Sequence, residues 1–296
     1  GRALSHMDGV AKRMTKIPKG SGLKPKDLVP IAWMVGLALQ RDGWWLRADN
    51  IWQPPSVMPS SVPDRPTISH AYLLLLSKKE RYFYDWFAIR EPATYGDHPR
   101  NGTKDMGDIQ APGQSKQTGL TNLRRNGGYV PSEYRNHRSV WTIPTQGFDE
   151  EHFAAFPPAL VEPCLLAGTS ERGCCPTCGV PWKRVLERSG TISAGGGERK
   201  HVKMMTRAGA ISAFATGEYA SWETTDWKAT CACGGVPEPC RVLDPFSGAG
   251  TTVMVARRLG RAAEGIELSS EYVEMSERRI LDDAPLLNRR AGNLAP

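Results

Sequence analysis

A chain of 296 residues, 40% of them apolar, is long and apolar enough to bury a core, which excludes a wholly solvated tail. The longest apolar run, Ala71 to Leu76, is far shorter than a bilayer crossing, and residues 1–20 lack the apolar centre of a signal peptide; no membrane partner and a cytoplasmic location are expected. The net charge of +7 favours a polyanionic partner without identifying one, and seven cysteines in a reducing compartment point to metal ligands or free thiols.

Residues 1–22, rich in Gly, Lys and Ser, read as a loop or arm. From Pro25 to Gln40 the residues Leu28, Ile31, Ala32, Val35 and Leu39 recur at helical spacing, with Gly43 as a stop. A strand is predicted next, over Trp44 to Trp52. The Pro-dense segment IWQPPSVMPSSVPDRP must be a loop, because proline cannot donate to a ladder. HAYLLLLSKKERYFYD then reads as two strands around a turn at Ser77 to Glu80, a hairpin at a sheet edge. Residues 90–140 have no sustained period and read as a long functional loop. Helical spacing resumes in FDEEHFAAFPPALVEPCLLAG, where a helix restarts at Pro157 and Pro158 with proline in its first turn. Residues 190–225, rich in Gly, Ser, Thr and Ala, are expected to be flexible.

The strongest chemical signal lies in CRVLDPFSGAGTTVMVARRLGRAAEGIEL, residues 240–268. It reads as a strand over Arg241 to Leu243, a glycine turn at Ser247 to Thr251, a helix stopped by Gly260, and a second strand over Ala262 to Leu268. Such a βαβ unit lets glycines bring the backbone close to a ligand at the carboxyl end of the first strand. Glu267 follows Asp244 by 23 positions, near the spacing at which an acid on the second strand accepts hydrogen bonds from ribose hydroxyls. Val253 stands where a dinucleotide motif has its third glycine, and Asp244-Pro245-Phe246 crowds a turn that a pyrophosphate would need bare. A cationic, phosphate-free cofactor suits the turn better. The plainer alternative is a generic α/β turn with glycines for packing. A helix is expected after Ser269 or Ser270 as N-cap.

DPFSGAGTT, followed by GIEL and a Tyr-containing helix, resembles the S-adenosyl-L-methionine motif of amino-directed DNA methyltransferases, the N6-adenine and N4-cytosine group. Two other segments resemble the same family: LKPKDLVPIAW through YFYD, especially its phage-type members, with Ala71 where the family has Glu after His70, and WTIPTQGFDEEHFAAFPPALVEP. The resemblance implies an α/β fold built on a Rossmann-like methyltransferase sheet, here incomplete. It implies that Asp244, Pro245, Phe246, Ser247, Gly248, Gly250 and Thr251 hold the methionine part of the cofactor, that Glu267 holds the ribose, and that His152, Phe153 and Phe156 lie near the site. The implied reaction is methyl transfer to adenine N6 or cytosine N4 of double-stranded DNA, in a bacterial or phage-infected cell and in a restriction-modification setting.

The family's catalytic element, Asp or Ser before Pro-Pro and an aromatic residue, is not found. The nearest string, Gln53-Pro54-Pro55-Ser56, lacks both the acid or serine and the ring, so no catalytic residue is assigned. The element is expected upstream of Gly1 or on another polypeptide. An incomplete sheet would leave an open edge and a poorly stable chain.

Cys175-x2-Cys178 and Cys231-x-Cys233 form a candidate four-thiolate structural zinc site in a zinc-ribbon-like insert; free thiols are the alternative. Asn122 to Arg138 places Arg124, Arg125, Arg135 and Arg138 among glycines and tyrosines, suited to phosphate contact and base stacking, or simply to a solvated basic loop. The expected organisation is residues 1–89 as part of the catalytic and target half, 90–140 for target recognition, 141–170 as a cofactor-side helix, 171–239 as the insert and 240–296 as the cofactor-binding segment. The competing function is a non-catalytic, zinc-stapled DNA- or cofactor-binding fragment, or one piece of a split enzyme.

Overall fold

The computed structural model describes residues 22–93, 134–147, 156–189 and 221–283. The chain divides into two compact units, one of Gly1–Asn50 with Tyr72–Tyr82, the other of Ile51–Ala71 with Phe83–Pro296.

In the first unit, helix α1 (Ile31–Arg41) leads into strand β1 (Trp45–Trp52), which pairs with β2 (Ala71–Ser77). The helix starts later than its apolar spacing predicts. Pro30 is its N-cap, and a proline pushes the residue before it out of the helical region. Gly43, at φ 93, ends it as expected. Gly36 lets the helix approach the sheet, since a Cβ there would stand 3.0 Å from Leu74 Cδ1.

The expected hairpin after Ser77 is not formed. Ser77 Oγ donates to Lys79 O (2.8 Å) at the end of β2, and no strand forms between there and Glu91. The alternation that suggested one has another cause. Asp85, Phe87 and Ile89 are buried in turn, and Asp85 N–H donates to Ala167 O at 2.9 Å.

In the second unit, strands β3 (Glu91–Pro92) and β4 (Tyr134–Arg135) pair antiparallel. Strand β5 (Val140–Trp141) runs parallel to Ile51 and Trp52 at the end of β1. Helix α2 (Pro158–Gly168) carries Pro158 in its first turn, where the missing N–H has no partner to lose. Strands β6 (Lys183–Ser189) and β7 (Ser221–Lys228) form an antiparallel hairpin with an irregularity between Val185 and Leu186. Residues 221–225, expected to be flexible, are therefore strand; 190–220 lie outside the described residues.

The βαβ unit forms as predicted. Strand β8 (Arg241–Asp244), helix α3 (Thr251–Arg258) and strand β9 (Ala262–Gly265) follow in order, with Asp244 opposite Gly265 in a parallel register. Helix α4 (Ser270–Asp283) comes next, and Ser269 Oγ accepts from Tyr272 N–H as its cap (3.4 Å). Among the described residues β8 and β9 form a two-stranded sheet, and β9 stops at Gly265 short of the predicted Leu268. The core of the unit lies where α2 meets α3: Val161 and Leu165 pack with Met254, Val255 and Ala256, and Val242, Ala263 and Ile280 close around them. That packing fixes α3, and with it the turn from β8.

Candidate functional site

The β8–α3 turn is built by close backbone approach. Gly248 (φ 50) and Gly250 (φ 72) adopt a conformation that side chains resist. Asp244 Oδ1 accepts from Phe246 N–H at 3.0 Å, a turn closed by the acid itself. Ser247 N–H donates to Ile266 O (2.9 Å) and Gly250 N–H to Ser247 O (2.8 Å). Gly265 in β9 is needed for this approach, because a Cβ there would stand 2.8 Å from Ser247 Cβ.

Glu267 faces the turn. Its Oε2 accepts from Gly248 N–H at 2.8 Å, and Oε1 accepts from Leu268 and Ser269 N–H, each at 2.9 Å. The three amides hold the carboxylate in place against the turn. Phe246, in the turn itself, is 88% exposed, and Leu268 after Glu267 is exposed too. Ser247 and Thr251 are buried. The structure thus brings Asp244, Phe246, Gly248, Gly250 and Glu267 to one mouth at the carboxyl ends of β8 and β9, where open α/β sheets bind ligands. Phe153 lies outside the described residues, as do Arg124 and Arg125.

The four cysteines singled out for metal also converge. The sulfur atoms of Cys175, Cys178, Cys231 and Cys233 all lie within 4.8 Å of one another. Tetrahedral zinc with Zn–S bonds of about 2.3 Å needs sulfurs about 3.8 Å apart, so the set fits. Backbone amides of Cys178 and Thr177 point at Cys175 and bring its thiol down to about 6, while the neighbouring thiols of Cys178 and Cys231 push Cys233 up to about 12. Gly179 (φ 71) donates its N–H to Cys175 O at 2.9 Å and turns the knuckle. Cys174 stands apart, its thiol against Pro239 O.

A cluster that the sequence reading missed ties this insert to the core. Arg184 of β6, 12% exposed, donates from Nε and Nη2 to Asp85 Oδ2 (3.1 Å each), from Nη1 to Thr224 Oγ1 (2.8 Å) and from Nη2 to Glu171 Oε2 (2.8 Å). Its guanidinium lies 4.4 Å from the Trp227 ring centroid. Asp85 and Arg184 are 99 positions apart, and no local pattern could link them.

Arg135 and Arg138 share one carboxylate. Their Nε atoms both donate to Glu91 Oε1, at 2.9 and 2.7 Å. Burial acts to raise the Glu91 carboxyl, but the hydrogen bond and charge of Arg138, with those of Arg135, hold it below the usual range. Arg90 lies over the rings of Phe87 and Tyr134, at 3.5 and 4.2 Å. Among the described residues, no helix is long and apolar enough to cross a membrane.

Similarity to known proteins covers both the turn and the segments before it. The DNA methylase family model matches residues 7–175 and 240–278, passing over the segment that holds the hairpin and three of the four clustered cysteines. The type II methyltransferase M.SmaI of Serratia marcescens is 31% identical over 281 residues, which are 95% of this chain and 59% of that protein. M.Cfr9I of Citrobacter freundii is 32% identical over 259 residues, 88% of this chain and 52% of that protein. The chain therefore spans little more than half the length of these relatives. The solved PvuII DNA methyltransferase, described as cytosine-N4-specific, overlays with a TM-score of 0.42 at 14% identity, covering 90% of this chain and 65% of that one. With the family match running through most of its length, the chain belongs to the DNA methylase family, the site-specific N6/N4 amino-methyltransferases.

Proposed function

We propose that this chain carries the S-adenosyl-L-methionine-binding part of a DNA methyltransferase that modifies an exocyclic base amine, adenine N6 or cytosine N4. The observation that carries the reading is the glycine turn after β8, with the Glu267 carboxylate fixed on Gly248 N–H and Phe246 bare at its mouth. When bound, the cofactor supplies an electrophilic methyl group on a sulfonium sulfur. Gly248 and Gly250 admit the ligand close to the backbone, Asp244 and Glu267 offer carboxylate oxygens to its ammonium and hydroxyl groups, and Phe246 covers apolar surface and keeps water from it. Pro245, Ser247 and Thr251 shape the turn.

The base-binding half of the reaction needs a polar group and a ring around a flipped base. These residues hold no Asp/Ser-Pro-Pro-aromatic string, so we assign that element to another polypeptide segment, upstream or in trans. Double-stranded DNA is the proposed partner. Arg135 and Arg138, fixed through Nε on Glu91, would meet phosphates through their remaining guanidinium nitrogens. Zinc on Cys175, Cys178, Cys231 and Cys233 has a structural role, since all four positions of the tetrahedron are protein thiolates.

Calorimetric titration with sinefungin, a non-reactive cofactor analogue, tests the reading. Saturable binding is expected, weakened about tenfold or more by Asp244→Ala, on the scale of one charge-assisted hydrogen bond. No binding by the parent chain would refute it. Incubation with labelled cofactor and DNA is expected to give no methylated DNA from this chain by itself; methylation by the chain alone would overturn the assignment of the base-binding element elsewhere.

A further inference from the structure

The turn after β8 is held from a second side, by helix α4, to which the proposed function gives no part. Arg279 projects from α4 and donates from Nη1 to Ala249 O at 2.9 Å and to Thr251 Oγ1 at 2.8 Å. Ala249 and Thr251 are both buried, and a buried carbonyl without a donor carries the full cost of its desolvation. Gly250, between them, is the left-handed N-cap of α3, and no side chain caps that helix. A Cβ on Gly250 would stand 2.8 Å from Ser276 Cβ, so α4 lies directly against the turn.

These contacts divide the turn between two anchors. On the β9 side Glu267 takes the Gly248 N–H. On the α4 side Arg279 takes the Ala249 carbonyl, in the peptide that leads into left-handed Gly250, and the side chain of the first residue of α3. One guanidinium nitrogen thereby bridges the backbone before Gly250 and the side chain after it. Helix electrostatics does not account for a cation here, because the N-terminus of α3 carries partial positive charge. The hydrogen bonds account for it.

We infer that Arg279 is a positioning residue that holds the Ala249 carbonyl and the Thr251 hydroxyl on either side of Gly250 and so presets the cofactor turn for its ligand. This rests on the reading of the turn as the S-adenosyl-L-methionine site. Arg279 itself touches the backbone of the turn and is not assigned contact with the cofactor.

Two measurements on the whole chain test it. In Arg279→Met, hydrogen exchange of the ligand-free protein is expected to quicken about tenfold or more at the amides of residues 249–252, the loss of roughly one charge-assisted hydrogen bond. Exchange in β6 and β7 is expected to stay as in the parent. Sinefungin affinity should fall about tenfold in the same variant, and Arg279→Lys, which keeps a charged donor, should recover most of both changes. Unchanged exchange at 249–252, or an equal rise across the whole unit, would overturn the inference, the second result marking a merely structural residue. If the parent chain binds no sinefungin, the proposed function fails, yet the exchange comparison still decides the role of Arg279.

Discussion

At the scale of single residues, the site depends on side chains that are absent as much as on those present. Gly250 combines a positive φ with a neighbour that leaves no room for Cβ, so Gly250→Ala is expected to distort the turn and lower sinefungin affinity about tenfold or more. Equal affinity in calorimetry would show that the turn is not the binding element. Glycine and acid spacing made this part legible in the sequence, because the turn is local and each residue type has a local reason. Arg279 was not legible, since a cation on an amphipathic helix reads as a solvated one until the turn folds against it. The ion pairs of Arg135 and Arg138 were not legible for the same reason. Their shared carboxylate, Glu91, lies more than forty positions away in the chain.

Glu91 also gives a pH dependence with a definite sign. Its folded-state value lies below the ordinary 4.5, so its stabilisation is complete above that value and is lost as pH falls through the lower folded one. Asp283, held below 3.8 by its hydrogen bond to Arg258, behaves alike. Thermal midpoints measured from about pH 6 to pH 3 are expected to fall less steeply in a Glu91→Gln, Asp283→Asn double variant than in the parent, because the parent alone has these ion pairs to lose. Parallel curves would contradict the assignment.

At the scale of elements, a buried arginine helps fasten the insert. Asp85 is 6% exposed on its side chain, and Arg184 stands between Asp85, Glu171 and Thr224. Removing one partner strands a buried charge, so Arg184→Met is expected to cost about 3–5 kcal/mol in denaturant unfolding. A loss below about 1 kcal/mol, the range of exposed pairs, would show that the hairpin is not anchored there. The β6–β7 hairpin was not legible. The irregularity between Val185 and Leu186 shifts the register of its partner, so Ser221 to Lys228 shows no clean alternation, and a stretch rich in small residues precedes it. The cysteines were legible from spacing alone, because short knuckles carry their geometry with them. Substitution Cys178→Ser is expected to lower bound zinc below the parent's about one ion per chain, measured by elemental analysis of purified protein. Equal zinc content in the two would remove the four-thiolate site.

At the scale of the molecule, the organisation follows the family match with one interruption. Residues 7–175 and 240–278 carry the DNA methylase pattern, and the β6–β7 hairpin, flanked by the clustered cysteines, stands between them, with Arg184 of β6 bonded to Asp85. The fold class and the βαβ unit could be read from the chain because hydrophobic period, glycine turn and acid all agree over some thirty residues. The edge hairpin after Ser77 could not, because burial of Asp85, Phe87 and Ile89 in an unpaired segment has the same period as a strand. The most direct test of the central claim is ultraviolet cross-linking of methyl-labelled S-adenosyl-L-methionine to the purified chain, followed by peptide mapping. The expected result is label on a peptide within residues 240–268, abolished by excess sinefungin and reduced in Asp244→Ala. Label confined to other peptides, or none that sinefungin displaces, would contradict the account.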